Sequence, residues 1–189
     1  GAASYSAAIN LTDNHAAKNV SSVSGIFTKL INSWINLTNI ENGVLVAPSN
    51  MQLKSNFHHV ACHGTVDMSI RYNHQEHIKD IDTKLKNLVP KKYKDMVDIY
   101  LLGGIKRPAM ERSEKTEELW KLIKSTANKL DVRLREEHRW SSSDICFIPD
   151  DKFKIDGLGP VGIKDENKQE YILRYSLIER AALLAMVIH

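Results

Sequence analysis

The sequence predicts an α+β fold: an antiparallel sheet carrying two helices on one face, followed by a shorter α/β segment. Three observations carry this. Residues 1–104 show strand and helix signals in the order strand, helix, strand, strand, helix, strand. Arg107-Pro108 breaks that series, because the residue before a proline is pushed out of helix. Beyond it helix and strand signals alternate, with too few elements for a free-standing α/β domain. The expected domains are therefore 1–104 and 105–189.

The elements follow in order. Ala3 to Leu11 reads as a short edge segment rich in alanine and serine, and Thr12-Asp13-Asn14 as a helix start. Ala16, Val20, Val23, Phe27, Leu30 or Ile31, and Trp34 recur at three- and four-residue steps, so a helix over 15–37 buries one face. Glu41-Asn42-Gly43 is a turn. Val44 to Ala47 is a short strand that Pro48 is expected to interrupt. From Val60 to Tyr72 the chain alternates: Val66, Met68, Ile70 and Tyr72 point one way, Thr65, Asp67, Ser69 and Arg71 the other. Asn73 is expected to cap a helix with Ile78, Ile81, Leu85 and Leu88 inside, stopped by Pro90. Met96 to Leu102 is a strand that Gly103-Gly104 should end. Two helices on one face of an antiparallel sheet give a ferredoxin-like sandwich.

In the second part Ser113 caps a helix with Leu119 or Trp120, Ile123, Ala127 and Leu130 inside. Val132 to Leu134 reads as a short strand, Ile145 to Ile148 as a buried run, and Phe153 to Ile155 as a strand. That strand enters the glycine-rich loop Asp156-Gly157-Leu158-Gly159-Pro160-Val161-Gly162. Ser176 and Glu179 have the spacing of a capping box for a final apolar helix, Leu177 to Ile188.

Composition excludes several classes. The net charge of +3 with scattered lysines, apart from Lys91, Lys92 and Lys94, argues against nucleic acid. No apolar run is long enough to span a membrane, and the N-terminus shows no secretory signal. Two cysteines, Cys62 and Cys146, make no disulfide framework, so a reducing, cytoplasmic setting is the simpler reading. Both are read as packing, Cys62 on the apolar strand face. His58, His59, Cys62 and His63 imitate metal spacing, but strand alternation splits them between two faces. Ser141, Ser142 and Ser143 lack a nucleophile-elbow context. Glu117-Glu118 and Glu136-Glu137 read as solvated pairs.

Several short motifs share an order and spacing with one family. Gly1-Ala-Ala-Ser-Tyr5-Ser-Ala, residues 56–72, Arg107-Pro108-Ala109-Met110-Glu111, Ser142-Ser143-Asp144, Asp156 to Gly162, and Glu170-Tyr171 carry the match. Together they resemble the two-zinc metallocarboxypeptidase and amidohydrolase family (glutamate carboxypeptidase, aminoacylase, acetylornithine deacetylase). The resemblance implies that residues 1–104 are the family's lid, or dimerisation, domain. Residues 105–189 would then be the C-terminal portion of its catalytic domain.

The resemblance also assigns roles. Tyr5 stands where the lid histidine polarises the scissile carbonyl of a neighbouring subunit; a tyrosine hydroxyl can donate the same hydrogen bond. The lid asparagine falls at His58 in strict register, or at Asn56 with a two-residue slip. Arg71 and Arg107 match the arginines that clamp a substrate carboxylate, for which a bidentate guanidinium is suited. The last metal-binding histidine is replaced by Asp165 or Glu166, and a carboxylate can still bind zinc. The remaining ligands and the general base precede the lid in the family, and no His-x-Asp occurs in this chain. The expectation is therefore zinc-dependent amide or peptide hydrolysis in the complete protein, with this chain inactive and binding no metal alone. Implied partners are a second copy, paired through the lid, and a peptide or N-acyl amino acid substrate. A non-catalytic dimerisation or regulatory module is the alternative.

Overall fold

The first strand, β1 (Ala2–Leu11), is built for close packing. Its odd residues, Ala3, Tyr5, Ala7 and Ile9, are buried, while Ser4, Ser6 and Ala8 lie on the other face. It is a central strand, not the edge segment expected. It pairs antiparallel with β3 (Ala61–Tyr72) on one side and β4 (Val97–Arg107) on the other. Alanine at alternate positions lets helices sit close over the middle of the sheet, which propensity alone does not disclose. With β2 (Val44–Ser55) pairing to β3, the sheet order is β2-β3-β1-β4. The computed structural model describes residues 1–12, 23–55, 61–87, 93, 96–163 and 170–189.

Two helices cover one face. In α1 (Val23–Ile35) the residues Val23, Ile26, Phe27, Leu30, Ile31 and Trp34 are buried, as the periodicity requires. Ala16 and Val20 lie outside the described residues. In α2 (Gln75–Asn87) Ile78, Ile81 and Leu85 are buried; Leu88 and Pro90 lie outside the described residues. The indole Nε1 of Trp34 donates to the carbonyl of Leu85 at 3.4 Å, tying α1 to α2 above the sheet. The core is continuous from both helices to the inward faces of all four strands. This is the antiparallel sheet with two helices on one face that the element order predicts.

Several local expectations are corrected. Strand β2 runs straight through Pro48, which pairs with Met68 in register. The strand lies at the sheet edge, where a missing N–H costs no ladder bond. Asn73 does not cap α2; the N–H of Gln75 donates instead to the carboxylate of Glu111 at 2.6 Å. Gly103 and Gly104 do not end β4 but lie inside it. Cys62 is half-buried at the strand's outer end, its thiol donating to the carbonyl of Lys54, and is not core.

The chain divides into two units, Gly1–Glu111 with Trp140–Ser142, and Arg112–Arg139 with Ser143–His189. The second holds α3 (Glu114–Lys129), capped by Ser113 as expected, with Ile123 and Ala127 buried. It also holds a two-stranded ribbon, β5 (Gly162–Ile163) with β6 (Tyr171–Ile172), and α4 (Arg174–Ile188). Val132 to Leu134 is irregular rather than a strand, although Val132 is buried. The run Ile145 to Ile148 enters a short 3-10 turn (Asp144–Phe147) in which only Cys146 is buried. Phe153 to Ile155 is also irregular, and the buried residue there is Lys154. Its ammonium donates to Asp150 at 2.5 Å and to the carbonyl of Ile148 at 2.8 Å, so the buried charge is paired. Ser176 is not an N-cap. It lies inside α4, fully buried, accepting from the N–H of Val161 and donating to the carbonyl of Leu173.

Candidate functional site

The open face of the four-stranded sheet carries the polar side chains that could meet a ligand. Arg71 on β3 and Arg107 on β4 are both paired with Ala2 of β1, one from each side. Paired residues project from the same face, so the two guanidinium stems flank one alanine across two strand spacings, roughly 10 Å between backbones. Ala2 between them is itself buried, 8 % exposed. Arg71 donates from Nη1 to the hydroxyl of Ser142 at 3.3 Å. The carbonyl of Arg107 accepts from the Tyr72 hydroxyl at 2.8 Å, which ties the end of β4 to the end of β3 across the start of β1. Both side chains are half-buried.

Along the same face Asp67 accepts from Ser6 at 2.6 Å and from the amide of Asn50 at 2.9 Å. These hydrogen bonds hold its carboxyl below the usual carboxylate range, Ser6 contributing most. Asn50 has φ of 49° in the irregularity of β2 between Ser49 and Gln52, so Asp67 fastens a bulge in the edge strand. Sequence reasoning placed Asp67 on this face without seeing a role for it. The alternation gives the face, but only the register brings Ser6 and Asn50 to it.

Tyr5 is placed differently from an exposed hydrogen-bond donor. It is 3 % exposed on the helix side of the sheet, and its hydroxyl donates to Asp82 of α2 at 2.9 Å. Burial, the hydrogen bond to Asp82 and the charge of Asp82 all raise the phenol above its usual range. Asp82 is in turn held low, first by Lys86 and then by Tyr5. The signs are opposite. The raised phenol contributes stability below the ordinary tyrosine pKa of about 10 that is lost as pH climbs toward the folded value. The lowered carboxyl contributes stability above about pH 4 that is lost as pH falls through its folded value. Tyr5→Phe is therefore expected to cost about 1 kcal/mol at neutral pH and to flatten the alkaline limb of a stability profile. Urea unfolding at pH 7 and pH 10.5 checks it. An alkaline loss that persists in the variant would assign that loss to other groups.

The other expected site residues lie elsewhere. Asn56, His58, Asp165 and Glu166 fall outside the described residues. Among the described residues no group of three or more histidine, cysteine, aspartate or glutamate side chains is placed to hold a metal ion. His74 and His77 meet edge to face with 5.2 Å between ring centres, and His74 Nδ1 lies 3.8 Å from Glu111. Glu136 and Glu137 are taken by Arg112 and Arg139. No catalytic step through a metal is therefore derived from the described residues. No helix among them is long and apolar enough to cross a membrane.

No protein family's sequence profile matches the chain, and a search of curated proteins found no match. Solved structures do match. The aminopeptidase PepT from Bacillus cereus superposes with a TM-score of 0.76 at 17 % identity, over 99 % of this chain and 51 % of its own. A tripeptidase from Staphylococcus aureus gives 0.76 at 17 % identity, over 99 % and 50 %. A dinuclear metal binding peptidase from Bacillus subtilis gives 0.68 at 10 % identity, over 99 % and 49 %. The chain spans about half the length of each. At these identities the likeness is one of fold, and over its whole length this chain has the fold of about half of such a peptidase.

Proposed function

We propose that the chain is the lid domain and C-terminal part of a metal-dependent peptidase or amidohydrolase, inactive by itself. The observation that carries this is the match of nearly the whole chain to about half of several peptidases. A substrate feature belongs to this reading. Arg71 and Arg107, flanking Ala2 on the open face, form a cradle for the carboxylate of a peptide or N-acyl amino acid. Ser142 steadies the first of them. Tyr5, enclosed and bonded to Asp82, acts as a pillar of the lid rather than as an electrophile. Metal, with zinc the expected ion, is held chiefly by segments outside this chain; Asp165 or Glu166 would add one ligand. The setting is cytoplasmic, in keeping with two unpaired cysteines.

A lid-to-lid homodimer accompanies this reading. β2 and β4 are the outer strands of the sheet, the start of β2 bridged at Val44 by Asn39, and a twofold copy can extend the sheet at such an edge.

The test supplies zinc or cobalt and assays N-acyl amino acids and C-terminal glutamyl peptides. No turnover is expected from residues 1–189; metal-dependent hydrolysis by this chain would overturn its inactivity. In a longer active form, Arg71→Ala and Arg107→Ala should each weaken substrates with a free carboxylate by about 10- to 100-fold in kcat/KM, from about 1.5–3 kcal/mol per charged hydrogen-bonding contact. The corresponding amide-blocked substrates should change little. Equal losses on both would remove the arginines from carboxylate recognition.

A further inference from the structure

Arg107 owes its place beside Ala2 to an extra residue in β4. Ala3 pairs with Ile105 and Ala2 with Arg107, so Lys106 is the additional residue of a β-bulge. In an unbroken ladder Lys106 would stand opposite Ala2, and Arg107 would turn to the other face. The rest of β4 pins this register weakly. Gly103 and Gly104 precede the bulge, and glycine loosens a strand interior. Hydrogen bonds beyond the ladder fasten it instead. The carbonyl of Arg107 accepts from the Tyr72 hydroxyl. Pro108 has no N–H, so the next donor is Ala109, which donates to Oε1 of Gln75 at 3.1 Å. In return the N–H of Gln75 donates to the Glu111 carboxylate at 2.6 Å. The exchange is reciprocal, as in a capping box, but it joins the start of α2 to the segment that leaves β4. Ala109 is buried against the core, so the clasp closes on a fixed base.

We propose that Gln75 and Glu111 are positioning residues for the arginine cradle: their clasp holds the bulge at Lys106 and so presents Arg107, not Lys106, on the face of Arg71. The proposal rests on the reading of Arg71 and Arg107 as a carboxylate cradle. It decides the chemistry of one side of that cradle. A guanidinium takes both oxygens of a carboxylate, whereas an ammonium meets it as a point charge.

Nuclear magnetic resonance on residues 1–189 reads the register and the cradle separately. Gln75→Met keeps the length of the side chain and removes the acceptor. The cross-strand contact of Ala2 with Arg107 should give way to one with Lys106, and the Ala109 amide should exchange about fivefold faster or more. Glu111→Ala, at a side chain 41 % exposed, opens the clasp from the other side and should do the same if Gln75→Met does not fold. The cradle is read by titrating N-acetylglycine and, for comparison, N-acetylglycinamide. The parent should prefer the free carboxylate. Arg107→Ala should weaken N-acetylglycine by about 10-fold in the parent, but by less than about twofold in Gln75→Met, where Arg107 has already turned away. An unchanged contact of Ala2 with Arg107 in both clasp variants would overturn the proposal. So would a 10-fold effect of Arg107→Ala that persists in Gln75→Met. Failure of the cradle reading has its own signature: the clasp variants shift the register, yet the parent shows no preference for N-acetylglycine. That result keeps Gln75 and Glu111 in control of the bulge and removes the carboxylate as what Arg107 is placed for.

Discussion

Gly103→Ala is expected to destabilise the first unit by about 3 kcal/mol or more, while Gly104→Ala costs about 1 kcal/mol. Both glycines lie in β4 with positive φ, 132° at Gly103 and 154° at Gly104. The difference between them is their surroundings. A Cβ on Gly103 would fall 2.2 Å from the carbonyl oxygen of Ser4 and 2.7 Å from the Cα of Tyr5. Both are backbone atoms of the central strand, so neither can swing aside as a side chain would. A Cβ on Gly104 meets nothing within 4 Å. Accommodating Gly103→Ala means moving β4 away from β1, and with it the register that sets Arg107 opposite Ala2. Urea unfolding of the two variants, compared with the parent, is the measurement. Equal losses would show that backbone conformation alone, and not the approach to β1, sets the cost.

Trp34→Ala should cost about 3–5 kcal/mol, the range for removing a large aromatic from a packed core. Trp34 is 1 % exposed and is the largest fully buried side chain. It also makes the hydrogen bond that joins α1 to α2. Trp34→Phe separates the two contributions. It keeps most of the volume and loses the N–H, so it should recover most of the stability and leave a deficit of about 1–2 kcal/mol for the lost hydrogen bond and the smaller ring. Thermal unfolding followed by circular dichroism checks both. Trp34→Ala with a loss under about 1 kcal/mol would contradict the packing described.

Which parts of this molecule could be read in advance follows from what kind of contact forms them. The helices α1, α2 and α3 and the strand β3 were legible because each buries one face, and the period of the apolar residues reports that face directly. Lys154 was not legible. Its ammonium is buried only because Asp150 and the carbonyl of Ile148 meet it, and a pattern of apolar residues cannot announce a paired charge. Ser176 misled for a related reason. Its spacing from Glu179 fits a capping box, but its hydroxyl is used by Val161 and Leu173 instead. Pro48 predicts a break only under the rule against proline in central strands; the edge position of β2 is a property of the sheet.

At the candidate site the same division appears. The family resemblance singled out Arg71 and Arg107, but their common neighbour, Ala2, is set by the pairing of β1 with both flanking strands. The resemblance also singled out Tyr5, and the structure turns its hydroxyl toward Asp82 on the helix side of the sheet. That orientation follows from the alternation of β1, in which Ala3, Tyr5, Ala7 and Ile9 form the buried series. The sequence by itself thus determined the order of strands and helices in the first part, the helices α3 and α4, and the α+β class, because these depend on local periodicity. Only the tertiary structure decided that β1 is central, that β4 passes through two glycines, and which side chains meet across the sheet. Those facts depend on register and on contacts between residues far apart in the chain, which no local pattern encodes.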